Sequence, residues 1–157
     1  MRVFHFISHF DMGGAEKVAA SIAKSGSEDV EYHLVETMRG RSEYTQRFIA
    51  EMTAAGVICH RAWMPDIRWH FVFERINAIL FPLRFLYIWL RWHPDVVHTH
   101  TEGPDMCIVA AMKAFPFIAH RCKVIRTIHN NVLWTGQPKI GNICERFFIS
   151  HKSNIAI

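Results

Sequence analysis

The sequence has little charge and no clustering of it: Asp, Glu, Lys and Arg together make up 20% of its 157 residues. The 18 Lys and Arg form no dense basic run, so the net charge of +4 does not describe a nucleic-acid binder. An acidic ligand or an anionic membrane surface suits it better. Cysteine is scarce. Cys59, Cys107, Cys122 and Cys144 include no C-x-x-C pair, which argues against a structural zinc ribbon and a disulfide framework and leaves reduced, buried thiols as the expectation. No internal repeat, low-complexity linker or leader-like segment is visible. One Arg precedes VFHFISHF, two histidines interrupt that run and Asp11 ends it, so the expected location is cytoplasmic. Apolar mass is abundant: 50% hydrophobic and 13% aromatic residues are enough to order one domain of ordinary size.

The apolar residues alternate between two periods. RVFHFIS (2–8) reads as a buried strand, followed by a helix with Ala15, Val18, Ala19, Ile22 and Ala23 at helical spacing and Gly26 just past its end. EYHLVETM (31–38) is a strand, 42–55 a helix, VICH (57–60) a strand, PDVVHTH (94–100) a strand, and a helix follows with Pro104 in its first turn. KVIRTIH (123–129) is the next strand, a helix spans roughly 140–151, and NIAI opens a sixth strand. Five helices between six strands predict an α/β fold, a doubly wound parallel sheet of Rossmann-like type in the order 3-2-1-4-5-6. The sixth strand ends at Ile157 with nothing to cover it, which is the expectation for a chain that continues.

In such a sheet, ligands bind outside the carboxyl ends of the strands. Three loops there carry chemistry. In HFDMGGAEK (9–17), Gly13 and Gly14 lead into a helix whose first backbone N–H groups fit a phosphate or another anion. The loop lacks G-x-G-x-x-G, which weakens a dinucleotide reading, although Glu36 ends the second strand where a ribose-binding acid would sit. HTHTEGPD (98–105) places His98 and His100 on one side of a strand end, followed by Glu102. H-x-H lacks a third ligand for a metal, so His100 and Glu102 are read as polar sugar or phosphate binders and His98 as a hydrogen-bonded core residue. In TIHNNVLW (127–134), His129 ends an apolar strand with Asn130 beside it.

The segment 67–93 is aromatic and aliphatic, with Arg68, Arg75, Arg84 and Arg91 among its charges. No stretch in it reaches about 18 uncharged residues, so an interfacial helix or burial in a core is expected rather than a membrane span. Pro82 is expected to break or kink that helix.

MRVFHFISHFDMGGAEKVAASIAKS, HPDVVHTHTEGPD and KVIRTIHNN, in that order and spacing, resemble the N-terminal domain of family 4 glycosyltransferases, retaining enzymes of GT-B fold. The resemblance implies the N-terminal, mainly acceptor-side half of a two-domain enzyme whose C-terminal half holds the sugar nucleotide. It implies transfer of a hexosyl group from a nucleotide sugar to a glycan or lipid-linked acceptor hydroxyl, in cell-envelope polysaccharide or glycolipid synthesis. Carried over, Gly13 and Gly14 lie beside donor phosphates and acceptor, His129 near the transferred sugar as the catalytic candidate, and His100, Glu102 and Asn130 on the acceptor side. No metal and no cofactor beyond the nucleotide-sugar substrate are implied. The domain alone is expected to be inactive, and peripheral contact with the cytoplasmic face of a membrane is expected. A non-catalytic acceptor-binding or membrane-docking subunit and a stand-alone nucleotide-binding domain are the alternatives.

Overall fold

The computed structural model describes residues 1–11, 13–27, 29–65, 70–129, 132–151 and 154–156. Its sheet has six parallel strands, β1 (Arg2–Ile7), β2 (Glu31–Glu36), β3 (Ile58–His60), β4 (Val96–Thr99), β5 (Lys123–Ile128) and β6 (Asn154–Ala156), in the order β3-β2-β1-β4-β5-β6. The expected strand order is the observed one, with the switch point between β1 and β4. The helices are α1 (Gly14–Lys24), α2 (Glu43–Ala54), α3 (His70–Trp92), α4 (Glu102–Ala114), α5 (Pro116–Ala119) and α6 (Pro138–Ser150). The sequence reading missed α5, a single turn opened by Pro116, whose fixed φ and missing N–H suit a first helical position.

Alternation along the strands divides the core. Phe4 and Phe6 of β1 join Val97 and Val124 in packing against Phe81, Phe85, Ile108, Met112 and Phe148 of α3, α4 and α6. Ile7 and Leu34 pack on the opposite side against Ala19, Ala23, Phe48 and Met52 of α1 and α2. Ala19, Ala20 and Ala23 give α1 a face of small residues turned to the sheet, and Ser42 caps α2 by accepting from the Thr45 N–H.

Pro82 does not break α3, which runs 23 residues through it. Interior proline costs a helix about 3 kcal/mol, whereas burying Phe81, Phe85 and Ile88 returns roughly 1.5–3 kcal/mol each, so the anchored faces on both sides of the proline hold the helix together. The segment also resolves into two faces. Arg84 is buried and donates to the carbonyls of Glu36, His60 and Arg61, so it serves the core and is unavailable to a membrane. Burial lowers its pKa to about 10, which leaves it charged at neutral pH. The opposite face exposes Val72, Ile76, Ile79, Leu83, Tyr87 and Leu90, whereas Trp89 and Trp92 turn partly inward. Among the described residues no helix is long and apolar enough to cross a membrane.

Candidate functional site at the carboxyl edge of the sheet

The loops after β1, β4 and β5 meet at one edge and are bonded to one another. Ser8 Oγ, just after β1, lies 2.9 Å from Thr101 Oγ1, just after β4. Thr101 stands at the N-cap of α4 but makes no side-chain cap bond, its hydroxyl being directed to Ser8. His100 Nδ1 is 3.3 Å from Nε2 of His129, at the end of β5. Glu102 borders both an open cavity of about 250 Å³, lined also by Met106, Val132, Trp134 and Gln137, and a small recess beside His100 and His129. Trp134 reaches that cavity because α6 carries Gly141, where a Cβ would lie 2.4 Å from the indole Cγ.

His98 and His100 differ in role, as their places in the strand dictate. His98 is His5's register partner across β1 and β4, and its Nε2 lies 2.7 Å from Thr127 Oγ1, a hydrogen-bonded core position. His100 is fully buried with both ring nitrogens engaged, one by His129 and the other by His5 Nδ1 at 2.9 Å. The expectation that His100 itself meets an acceptor does not fit this placement; it stands behind His129. Burial is the main cause that lowers the pKa of His5 to about 3, His98 to about 4 and His100 to about 2, with neighbouring imidazoles adding to it. His129 is lowered by burial as well. The group is therefore neutral at pH 7. His5, His98 and His100 could hold a metal, since one ligand atom from each lies within 4.8 Å of the others. His5 is the third histidine that the sequence reading lacked; its only sequence signal was a polar residue inside an apolar strand.

Gly13 caps α1 and Gly14 opens it. A Cβ on Gly14 would meet nothing within 4 Å, so packing within the chain does not demand glycine there. At Gly13 the carboxylate of Glu16 folds back over the backbone, 2.0 Å from where a Cβ would stand. An anion approaching this helix end has to displace a resident carboxylate whose pKa is raised, chiefly by burial. Asn130 lies outside the described residues.

Glu36 is not placed to bind a ribose. Its side chain is fully buried: Oε1 accepts from Arg61 Nε at 2.5 Å and Ala62 N at 2.9 Å, and Oε2 accepts from Phe10 N and Gly40 N, each at 3.3 Å. It pins the loops that follow β1, β2 and β3. Beside it, Arg39, Arg41 and Arg61 line a recess of about 310 Å³ with Ser42 and Thr45 at the start of α2, a basic surface that periodicity could not reveal. The sequence reading also missed a buried charge network beneath the cavity that Glu102 borders. Arg126 grips Glu145 through both terminal nitrogens at 2.5 and 2.8 Å and stands 3.5 Å from Asp105, whose other oxygen accepts from Thr99 Oγ1 at 2.5 Å. Burial outweighs these contacts and raises the Asp105 pKa to about 7. Trp134 Nε1 donates to Glu145 at 2.9 Å and so fastens the cavity wall to the network.

Fold and edge constellation define a Rossmann-like α/β domain with a polar site at the topological switch point. The sequence profile of Glycosyltransferase Family 4 matches residues 12–155, and the chain belongs to that family. No curated protein sequence matches it. The crystal structure of a glycosyltransferase from Rickettsia africae ESF-5 has a similar fold, with a TM-score of 0.61 at 12% identity over 99% of this chain. The chain spans 42% of the length of that structure.

Proposed function

We propose that this chain is the acceptor-side domain of a retaining GT-B glycosyltransferase that moves a hexosyl group from a nucleotide sugar to an acceptor hydroxyl, in cell-envelope polysaccharide or glycolipid synthesis. The observation that carries the reading is the bonding of the β1, β4 and β5 loops into one constellation at the switch point, with His129 at its outer end. A donor-binding domain elsewhere in the enzyme would complete the site, and the chain alone would not turn over. In this reading the backbone N–H groups at Gly13 and Gly14 face the donor diphosphate, Glu102 and the 250 Å³ cavity receive part of the acceptor, and His129 hydrogen-bonds a hydroxyl of the transferred sugar. The leaving diphosphate takes the acceptor proton, so no side chain of this domain needs to act as general base. No metal enters the scheme. His129→Ala in the complete enzyme should lower turnover roughly tenfold to a thousandfold while the protein stays folded. Normal turnover in that variant overturns the reading.

Peripheral membrane contact has its own support. The exposed face of α3 forms one apolar line along the helix, aliphatic except for Tyr87, and Arg75 and Arg91 flank it on opposite sides, an arrangement that suits apolar insertion among anionic headgroups. Leu83→Glu should abolish flotation with anionic liposomes and leave the thermal midpoint unchanged, because the side chain is 61% exposed. Flotation that survives the substitution, or is indifferent to anionic lipid, refutes this contact.

A further inference from the structure

Two hydrogen bonds run inward from His129. Its Nε2 is 3.3 Å from His100 Nδ1, and His100 Nε2 is 2.9 Å from His5 Nδ1. Each link therefore joins the Nδ1 of one ring to the Nε2 of the next. A neutral imidazole has one N–H and one lone pair, so the three rings are all Nδ1–H or all Nε2–H; no mixed set satisfies both bonds. The position of the proton on His5 dictates its position on His129. Depressed pKa values, caused mainly by burial, keep all three rings neutral at pH 7.

The inner end of this chain is sealed. His5 is 1% exposed, and its Nε2 is buried with no hydrogen-bond partner among the described residues. Reversing the chain would require a proton to leave at His129 and another to arrive at His5 Nε2, where no described residue stands to deliver it. A buried N–H without an acceptor is the rarer orphan in folded proteins, so the unpartnered nitrogen carries the lone pair and the N–H points along the chain. On the other face of the sheet a second pair is fixed differently: the Glu31 carboxylate, 2.8 Å from His33 Nε2, requires the proton there and so sets the His33 bond to His60.

We infer that His5 is a positioning residue that locks His129 in the Nδ1–H tautomer, making His129 a hydrogen-bond donor of fixed polarity at the carboxyl edge and excluding it as a proton shuttle. A metal on His5, His98 and His100 is the competing use of the same rings. A metal held through His5 Nδ1 and His100 Nε2 would need lone pairs on both and would then leave an N–H sealed on His5 Nε2 without an acceptor. Only the meaning of the donor, a bond to a sugar hydroxyl oxygen, rests on the glycosyl-transfer reading; the tautomer is a property of the chain itself.

Long-range proton–nitrogen correlation spectra of the histidine-labelled 157-residue chain at pH 7 read the tautomers directly. Nδ1–H is expected on His5, His100 and His129. His5→Asn, whose amide N–H can stand where the Nδ1–H stood, should preserve the His129 tautomer, and His5→Asp, whose carboxylate can only accept from His100 Nε2, should turn His129 to Nε2–H. An Nε2–H or averaged His129 in the unsubstituted chain overturns the inference, as does a single Nδ1–H form surviving in His5→Asp. The unsubstituted spectrum decides even where a variant fails to fold. One equivalent of zinc ion should leave the spectrum unchanged; stoichiometric binding that shifts His5, His98 and His100 together overturns the relay in favour of a metal site. If the tautomers are as stated and His129→Ala retains normal turnover in the complete enzyme, the glycosyl-transfer role fails and the relay stands.

Discussion

Glu36 offers the sharpest separation of a structural acid from a ligand-binding one. Its fully buried carboxylate receives four hydrogen bonds, from Phe10 N, Gly40 N, Ala62 N and Arg61 Nε. Glu36→Ala removes all four acceptor contacts, strands three backbone donors and leaves the Arg61 guanidinium, whose side chain is 30% exposed, without its counter-charge. Breaking a buried pair by removing one partner costs about 3–5 kcal/mol, and the partial exposure of Arg61 places this case near the lower end. For a domain of this size that corresponds to a fall of about 6–12 °C in thermal midpoint. Glu36→Gln should recover part of it, because one oxygen remains to serve Arg61 and Ala62 while the amide N–H₂ faces two donors. Thermal unfolding followed by circular dichroism measures both. A Glu36→Ala midpoint within about 2 °C of the parent refutes the hub argument and returns Glu36 to the pool of ligand-binding acids.

Acid should unfold this domain early. His5, His60, His98 and His100 have folded pKa values lowered to about 3, 4, 4 and 2, so their contribution is whole above the unfolded value near 6.5 and is lost as pH falls below it, by about 2 kcal/mol each at pH 5. Asp105, raised to about 7, runs the opposite way over that window and offsets about one of the four. The urea midpoint should therefore drop steeply between pH 6.5 and 5, and a flat profile there refutes the neutral-imidazole core. Glu16→Ala should tighten pyrophosphate binding at the start of α1 about two- to fivefold, by removing the carboxylate that lies over Gly13. Calorimetric titration measures this, and unchanged or weaker binding shows that the helix end is not the phosphate seat.

Hydrophobic period was enough to read the strand order, because each strand of a parallel sheet must return through a crossover and right-handed crossovers leave few arrangements. Register and depth were not legible in the same way. His5 is one polar residue inside the apolar strand VFHFIS, and its partner His100 is 95 residues away; no local pattern links them. Glu36 sits at a position where spacing suggests a ribose acid, and only the fold shows that the loops after β1, β2 and β3 all converge on its two oxygens. Arg126 and Asp105 read as a strand residue and a first-turn helix acid, yet both are almost fully buried and each needs the other. The segment 67–93 reads as uniformly apolar because α3 has two apolar faces, one against the core and one exposed.

The two ends of the switch-point site are stabilised by opposite means, and this bears on what each end can do. Beneath the cavity at Glu102, charge is retained: Arg126 and Glu145 hold the Trp134 wall through a forked ion pair, with the Asp105 carboxyl beside them. Behind His129, charge is excluded, and neutral imidazoles are linked ring to ring with burial holding each of them unprotonated. A neutral donor array aimed at one edge changes little in solvation when a developing negative charge or a hydroxyl arrives, which is what preorganised stabilisation requires. A charged histidine there would bind a diphosphate strongly in the ground state as well, and uniform binding of that kind does not accelerate a reaction. The burial that makes the domain acid-sensitive is therefore the same burial that keeps His129 a neutral donor.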